Sequence, residues 1–145
     1  TGSFNLRVDK IGGEVSTNSN ILDNNNYNFN LGDGSDTISD YQGNDTIIFG
    51  NGINENDITF RFDDNNLQIG YDNISNINVT NQNNSHYAIE RVEIANGNYL
   101  SRDDIDLLIQ DISSYAVDNG IDISSNENIK HNEQLMNIIS SSWHQ

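Results

Sequence analysis

Apolar and polar residues alternate over much of the first hundred positions, and a spacing of two is typical of β-strands. The alternation begins in residues 4–8, whereas residues 16–26 are almost all small or polar and are predicted to form a loop. Segments 58–62 and 67–71 alternate on either side of four consecutive Asp and Asn residues, a turn signal that predicts a hairpin. This part of the chain is therefore expected to be mainly β.

The spacing of apolar residues changes after residue 100. Ser101 and Asp104 resemble a capping box at the start of a helix, and Asn119-Gly120 is a stop signal. A second amphipathic segment covers residues 133–142, with a short helical piece before it. The sequence thus divides into N-terminal strands and loop (1–26), a β region (27–100) and a helical C-terminal segment (101–145).

Two short segments in the β region repeat at a period of nine. Gly34-Ser-Asp36-Thr-Ile38 aligns with Gly43-Asn-Asp45-Thr-Ile47, and Phe29 lies nine residues before Ile38. In a parallel β-roll each nine-residue unit is a tight turn plus a short strand, with the Asp facing an ion between turns. The bulky apolar residue two places later points into the core. The repeat therefore predicts that Ile38 and Ile47 are inward.

Charge and composition narrow the class of protein. The 22 acidic against 6 basic residues give a net charge of −16, which opposes binding to nucleic acid. The chain has no Cys, so disulfides and thiolate metal sites are excluded, and no run of about 18 apolar residues indicates a membrane span. Hard divalent cations with oxygen ligands would relieve the repulsion between carboxylates. An acidic domain that tolerates its charge is the alternative.

The repeats resemble the calcium-binding nonapeptides of RTX (repeats-in-toxin) proteins, although Leu31 replaces the first Gly of the better unit. The resemblance extends over about residues 27–100, and the tail resembles the C-terminal region of RTX proteins exported by type I secretion systems. It implies a short parallel β-roll remnant, capped by antiparallel β structure and followed by C-terminal α-helices. It also implies that a complete calcium site joins turns 18 residues apart. The candidate ligands are Gly32, Asp33, Gly34, Asp36, Gly43, Asn44 and Asp45.

Asp36 and Asp45 are the principal candidates, although an Asp in a Gly-rich turn often only bonds its own backbone. The sequence contains no recognisable catalytic motif, and its three His residues are scattered. The predicted function is a non-enzymatic, calcium-binding module of a secreted bacterial protein, which folds on calcium after export and carries or supports the type I secretion signal. The alternatives are an adhesin or toxin module that binds a carbohydrate or host surface through Tyr71, Tyr87 and Tyr99, and the non-catalytic tail of a secreted lipase or protease.

Overall fold

The computed structural model describes residues 3–7, 13–17, 24–40, 44–72, 74–84 and 88–145. The strands are β1 (Ser3–Arg7), β2 (Gly13–Thr17), β3 (Asn24–Phe29), β4 (Ser35–Asp40), β5 (Thr46–Phe49), β6 (Thr59–Asp63), β7 (Asn66–Gly70), β8 (Asn76–Val79), β9 (Arg91–Glu93) and β10 (Tyr99–Ser101). The helices are α1 (Arg102–Asn119), α2 (Asn126–Lys130) and α3 (Glu133–Ser141), and a 3-10 turn covers Glu55–Asp57. The prediction of a mainly β protein with C-terminal helices is confirmed.

The described strands form two five-stranded sheets. The first has the order β1-β3-β5-β9-β10 and the second the order β2-β4-β8-β7-β6. From β1 to β5 each strand lies in the opposite sheet from the one before it, and β1, β3, β5 and β9 are mutually parallel, as are β2, β4 and β8. Antiparallel strands complete one side of each sheet, because β10 pairs with β9 and β7 pairs with both β8 and β6.

Neighbouring parallel strands are separated by more residues along the chain than the 18 of two nonapeptides. The paired residues are Ser3 with Asn24, Asn26 with Thr46, and Gly13 with Asp36, which are offsets of 21, 20 and 23 residues. The expected spacing of 18 is therefore wrong for these layers. The prediction of a loop over 16–26 is also wrong in part, because β2 extends through Thr17 and β3 begins at Asn24.

The interior lies between the two sheets and is continuous with the helices. Phe29, Ile38 and Ile47 are fully buried, as the period of nine predicts. Phe29, Phe49 and Tyr71 form an aromatic cluster with ring centroids 4.9–6.4 Å apart. Apolar burial of this kind contributes about 25 cal/mol per Å² removed from water, and tilted aromatic pairs add to it.

The hairpin of β6 and β7 lies where the sequence predicts it. β6 and β7 pair from Thr59 opposite Gly70 to Asp63 opposite Asn66. The turn after Asp63 places Asp64 at a φ of 54°, a left-handed conformation that Asp and Asn tolerate better than other non-glycine residues. The strong Asp and Asn signal therefore has a direct backbone cause.

The helices lie at the predicted positions and pack against β6 and β7 of the second sheet and β10 of the first. The Ser101 hydroxyl accepts from the Asp104 N–H at 3.1 Å, and the Asp104 carboxylate accepts from the Ser101 N–H at 2.9 Å. This capping box starts α1, and Gly120 ends it at a φ of 65°. Trp143, after α3, is buried against Phe60 of β6, with ring centroids 6.3 Å apart. No helix within the described ranges is long and apolar enough to cross a lipid bilayer.

Candidate functional site

The turn between β3 and β4 contains three of the predicted ligand residues, Gly32, Asp33 and Gly34, and the fourth, Asp36, is the second residue of β4. The Asn30 N–H donates to Asp33 Oδ2 at 2.7 Å, and the Asp33 N–H donates to the Asn30 carbonyl at 3.2 Å. Gly32 and Gly34 adopt φ values of 81° and 86°, which L-residues with a Cβ rarely reach. The Gly-x-Gly spacing is therefore needed to close the turn. The turn places Asp33 just before β4 and Asp36 within it.

Asp36 is buried at the start of β4, where the described residues provide no hydrogen-bond partner for its carboxylate. The residue is 2% exposed, and neither carboxylate oxygen accepts a hydrogen bond from any residue that the structure describes. It lies opposite Ile77 of β8, a residue that is fully buried. Burial, together with the nearby charge of Asp33, raises the pKa of Asp36 to about 6. A buried carboxylate of this kind is costly unless a cation or proton neutralises it.

Asp72 joins the β3–β4 turn to the loop between β7 and β8. Its Oδ2 accepts from the Gly32 N–H at 2.8 Å and from the Ser75 hydroxyl at 2.9 Å. Its Oδ1 accepts from the N–H groups of Ile74 and Ser75 at 2.9 and 2.6 Å. Burial alone would raise the pKa of Asp72, but these hydrogen bonds lower it below its ordinary value. Asp72 is therefore an ionised, structural carboxylate beside the candidate site.

The second predicted ligand, Asp45, lies in the other sheet. It directly precedes β5, where its N–H donates to Glu90 Oε1 at 2.8 Å. Its carbonyl accepts from the N–H groups of Glu90 and Arg91 at 3.0 and 3.2 Å. Asp45 is 1% exposed and Asn44 is exposed. The structure therefore separates Asp36 and Asp45 instead of bringing them to one site, and Gly43 lies outside the described residues.

The oxygen atoms around Asp36 are the kind of ligand that a hard cation takes, but there are too few carboxylates for a complete site. Within the described part of the chain, no three side chains of Asp, Glu or His are grouped closely enough to hold a metal ion. Asp36 and Asp33 supply carboxylate oxygens, and the turn supplies backbone carbonyls, which are the oxygen ligands that calcium takes. The residues present can therefore provide part of a calcium site, with the unpartnered carboxylate of Asp36 as its strongest element.

Sequence reasoning missed Asp72 and Glu90. Asp72-Asn-Ile-Ser75 is a local signal, because an Asp side chain commonly accepts from the backbone two and three residues later. Nothing local indicates the bond from Gly32, which is 40 residues away in sequence. Glu90 meets Asp45 only because β9 pairs with β5.

Of the tyrosines predicted to stack on a carbohydrate, the two that the structure describes, Tyr71 and Tyr99, are both engaged in contacts within the protein. Tyr71 is 1% exposed and packs in the aromatic cluster, so its ring faces are unavailable. Tyr99 is half-buried, stacks on His144 at 5.1 Å and lies under the Arg91 guanidinium at 3.8 Å. Tyr87 lies outside the described residues.

Comparison of the chain with models of protein families and with curated proteins finds no match to either.

Proposed function

We propose that this chain is a non-catalytic, calcium-binding module that folds fully when calcium neutralises the carboxylates at the β3–β4 turn. The observation that carries the proposal is the buried carboxylate of Asp36, which has no hydrogen-bond partner among the described residues. Asp33 lies close enough to raise the pKa of Asp36, so one cation between them would relieve both the burial cost and the mutual repulsion.

We interpret the two parallel stacks as a short β-roll remnant, which the β6–β7 hairpin, β10 and the helices cover. The alternation of successive strands between the two sheets supports this interpretation. The layers are longer than two nonapeptides, so the proposal places calcium at one turn rather than in a ladder of equivalent sites. A second, separate calcium site next to the first sheet is proposed to use the candidate ligands Asp45, Asn44 and Gly43.

The expected stabilisation follows from mass action. For a site with a Kd of about 0.1 mM, typical of the tighter extracellular modules, about 1 mM calcium adds roughly 1.4 kcal/mol to the free energy of unfolding. Small domains have only about 5–15 kcal/mol in total, so one site has a measurable effect on stability. A low calcium concentration before export and a high one outside a bacterial cell would then couple folding to location.

The C-terminal segment, residues 101–145, is proposed to carry or support the type I secretion signal. In the folded chain its apolar side chains Leu135, Ile139 and Trp143 are buried. Export machinery that reads these side chains would therefore have to meet them before the module folds. This order agrees with folding on calcium after export to an extracellular location.

The proposal is tested by far-UV circular dichroism during a titration from EGTA to about 5 mM calcium, a concentration well above the expected Kd. The expected result is a gain of β signal or of thermal stability with calcium and not with magnesium, which dehydrates reluctantly and demands octahedral geometry. A protein whose spectrum and melting temperature do not respond to calcium would show that the turn is only a structural turn.

A further inference from the structure

A cavity of about 600 Å³ lies between α2 and one end of the second sheet. The residues Asn126, Lys130 and His131 form one wall, and the loop and strand residues 70–76 contribute to the opposite wall, except for Asn73, which lies outside the described residues. Its volume falls in the range of about 300–1,000 Å³ that is usual for small-molecule sites. None of the predicted calcium ligands lines it.

The wall that α2 forms is held by polar contacts to three other elements. The Lys130 ammonium donates to the Asn56 carbonyl. The Asn126 side-chain Nδ2 donates to Asn76 Oδ1 at 2.6 Å, and Asn126 Oδ1 accepts from Arg61 Nε at 2.9 Å. The cavity is therefore formed before any ligand arrives, which lowers the entropic cost of binding.

Among the described residues that line the cavity, Thr59 and Tyr71 each carry a hydroxyl without a hydrogen-bond partner. Thr59 is 2% exposed, and its hydroxyl makes no hydrogen bond with any described residue. The absence of a side chain at Gly70 keeps this region open, because a Cβ there would lie 2.8 Å from Thr59 Oγ1 and 2.6 Å from Asn126 Nδ2. A buried hydroxyl without a partner is unfavourable, and a ligand hydroxyl would satisfy it.

The remaining lining residues suit a ligand that combines hydroxyl groups with apolar faces and carries no negative charge. Leu31 and Ile74 are 52% and 71% exposed, and both line the cavity. Asp57 and Glu127 also line it, and the chain carries a net charge of −16, so an anionic ligand is disfavoured. Sugars present C–H faces to apolar side chains, and their hydroxyl groups both donate and accept hydrogen bonds.

We propose that this cavity binds a neutral mono- or disaccharide and that the Thr59 hydroxyl forms a hydrogen bond with one of its hydroxyl groups. The proposal does not require calcium ligation by Asp36, although Asp72 both lines the cavity and accepts from the Gly32 N–H of the candidate calcium turn.

The test is an NMR titration of the ¹⁵N-labelled full chain in saturating calcium with glucose, galactose, mannose, N-acetylglucosamine, maltose, lactose and cellobiose. At least one sugar is expected to shift the amide resonances of Gly70 and Asn76 and the side-chain resonance of Asn126. Thr59→Val keeps the shape of the side chain and removes the hydroxyl. It should weaken this binding about tenfold or more, the effect of one lost hydrogen bond in a buried site.

Thr59→Val should not lower the melting temperature, because it removes a hydroxyl that has no hydrogen-bond partner in the described part of the chain. Thr46→Val, on β5 in the other sheet, is the matched control and should leave sugar binding unchanged. The proposal is overturned if no sugar of the panel shifts the cavity resonances, or if Thr59→Val binds as tightly as the wild type. Binding of choline or glucosamine in the cavity, without binding of any neutral sugar, would also overturn it.

Discussion

Replacement of Asp36 by Asn should stabilise the calcium-free protein, which is the reverse of the usual effect of a mutation at a buried site. The pKa of Asp36 is raised from 3.8 to about 6. At 1.36 kcal/mol per pKa unit, the charged form costs about 2–3 kcal/mol of stability at neutral pH. Asn has nearly the same shape and no charge, but its amide is also polar and buried. A net gain of roughly 1–2 kcal/mol in the free energy of unfolding is expected.

The pH dependence has a definite sign. Because the folded pKa of Asp36 lies above the unfolded one, the native state binds more protons between about pH 4 and pH 6. Stability from this group is therefore present at low pH and is lost as the pH rises through about 6. The difference in stability between Asp36→Asn and wild type should grow over this window and level off above it. Urea denaturation in EGTA at several pH values, followed by circular dichroism, measures this difference.

Asp111→Asn is the matched control, since it removes one carboxylate from an exposed position on α1. It should change stability by no more than about 0.5 kcal/mol, as is usual for surface substitutions. The reasoning is refuted if Asp36→Asn destabilises the protein in EGTA at pH 7, or if its difference from wild type does not vary with pH.

Three further predictions concern structural contacts. Asp72→Asn leaves one acceptor oxygen in place of two and should lower the free energy of unfolding by about 2–4 kcal/mol, measured by urea titration. An unchanged urea midpoint would contradict the role of Asp72 in joining the two loops. Ser101→Ala should cost about 1 kcal/mol by thermal denaturation, because it removes the cap of α1, whereas an effect near zero would mean that the cap contributes nothing. Trp143 is the only Trp and is 7% exposed, so its fluorescence should resist quenching by acrylamide until the C-terminal segment unfolds, and ready quenching of the native protein would show that it is not packed on Phe60.

The sequence predicted the elements that depend on local chemistry. The β6–β7 hairpin follows from alternation around a turn of Asp and Asn, and α1 follows from its capping box and Gly120. The inward positions of Ile38 and Ile47 follow from the period of nine.

The elements that depend on pairing over long distances were not predictable in the same way. β3 begins with three Asn residues, a type depleted in strands, and it pairs along its length with β1 and, in its later part, with β5. The spacing of 20–23 residues between layers depends on the loops between strands, whose lengths do not follow the nonapeptide period.

The candidate site likewise has features that the sequence predicts and features that depend on long-range pairing. The Gly-x-Gly turn and the acidic residues Asp33 and Asp36 are visible in the sequence as a local pattern. Strand order determines the rest. Among the described residues Asp36 finds no hydrogen-bond partner, Asp72 accepts from the β3–β4 turn, and Asp45 precedes a strand of the other sheet. The pattern alone could not distinguish these three carboxylates.

The most direct test of the central claim is isothermal titration calorimetry of calcium into the wild-type chain and into Asp36→Asn at pH 7. The account predicts saturable calcium binding to the wild type, with magnesium failing to compete at equal concentration, and loss of at least one site in Asp36→Asn while Asp111→Asn binds normally. Equal binding of calcium by wild type and Asp36→Asn, or no binding by the wild type, would contradict the claim that Asp36 is a calcium ligand.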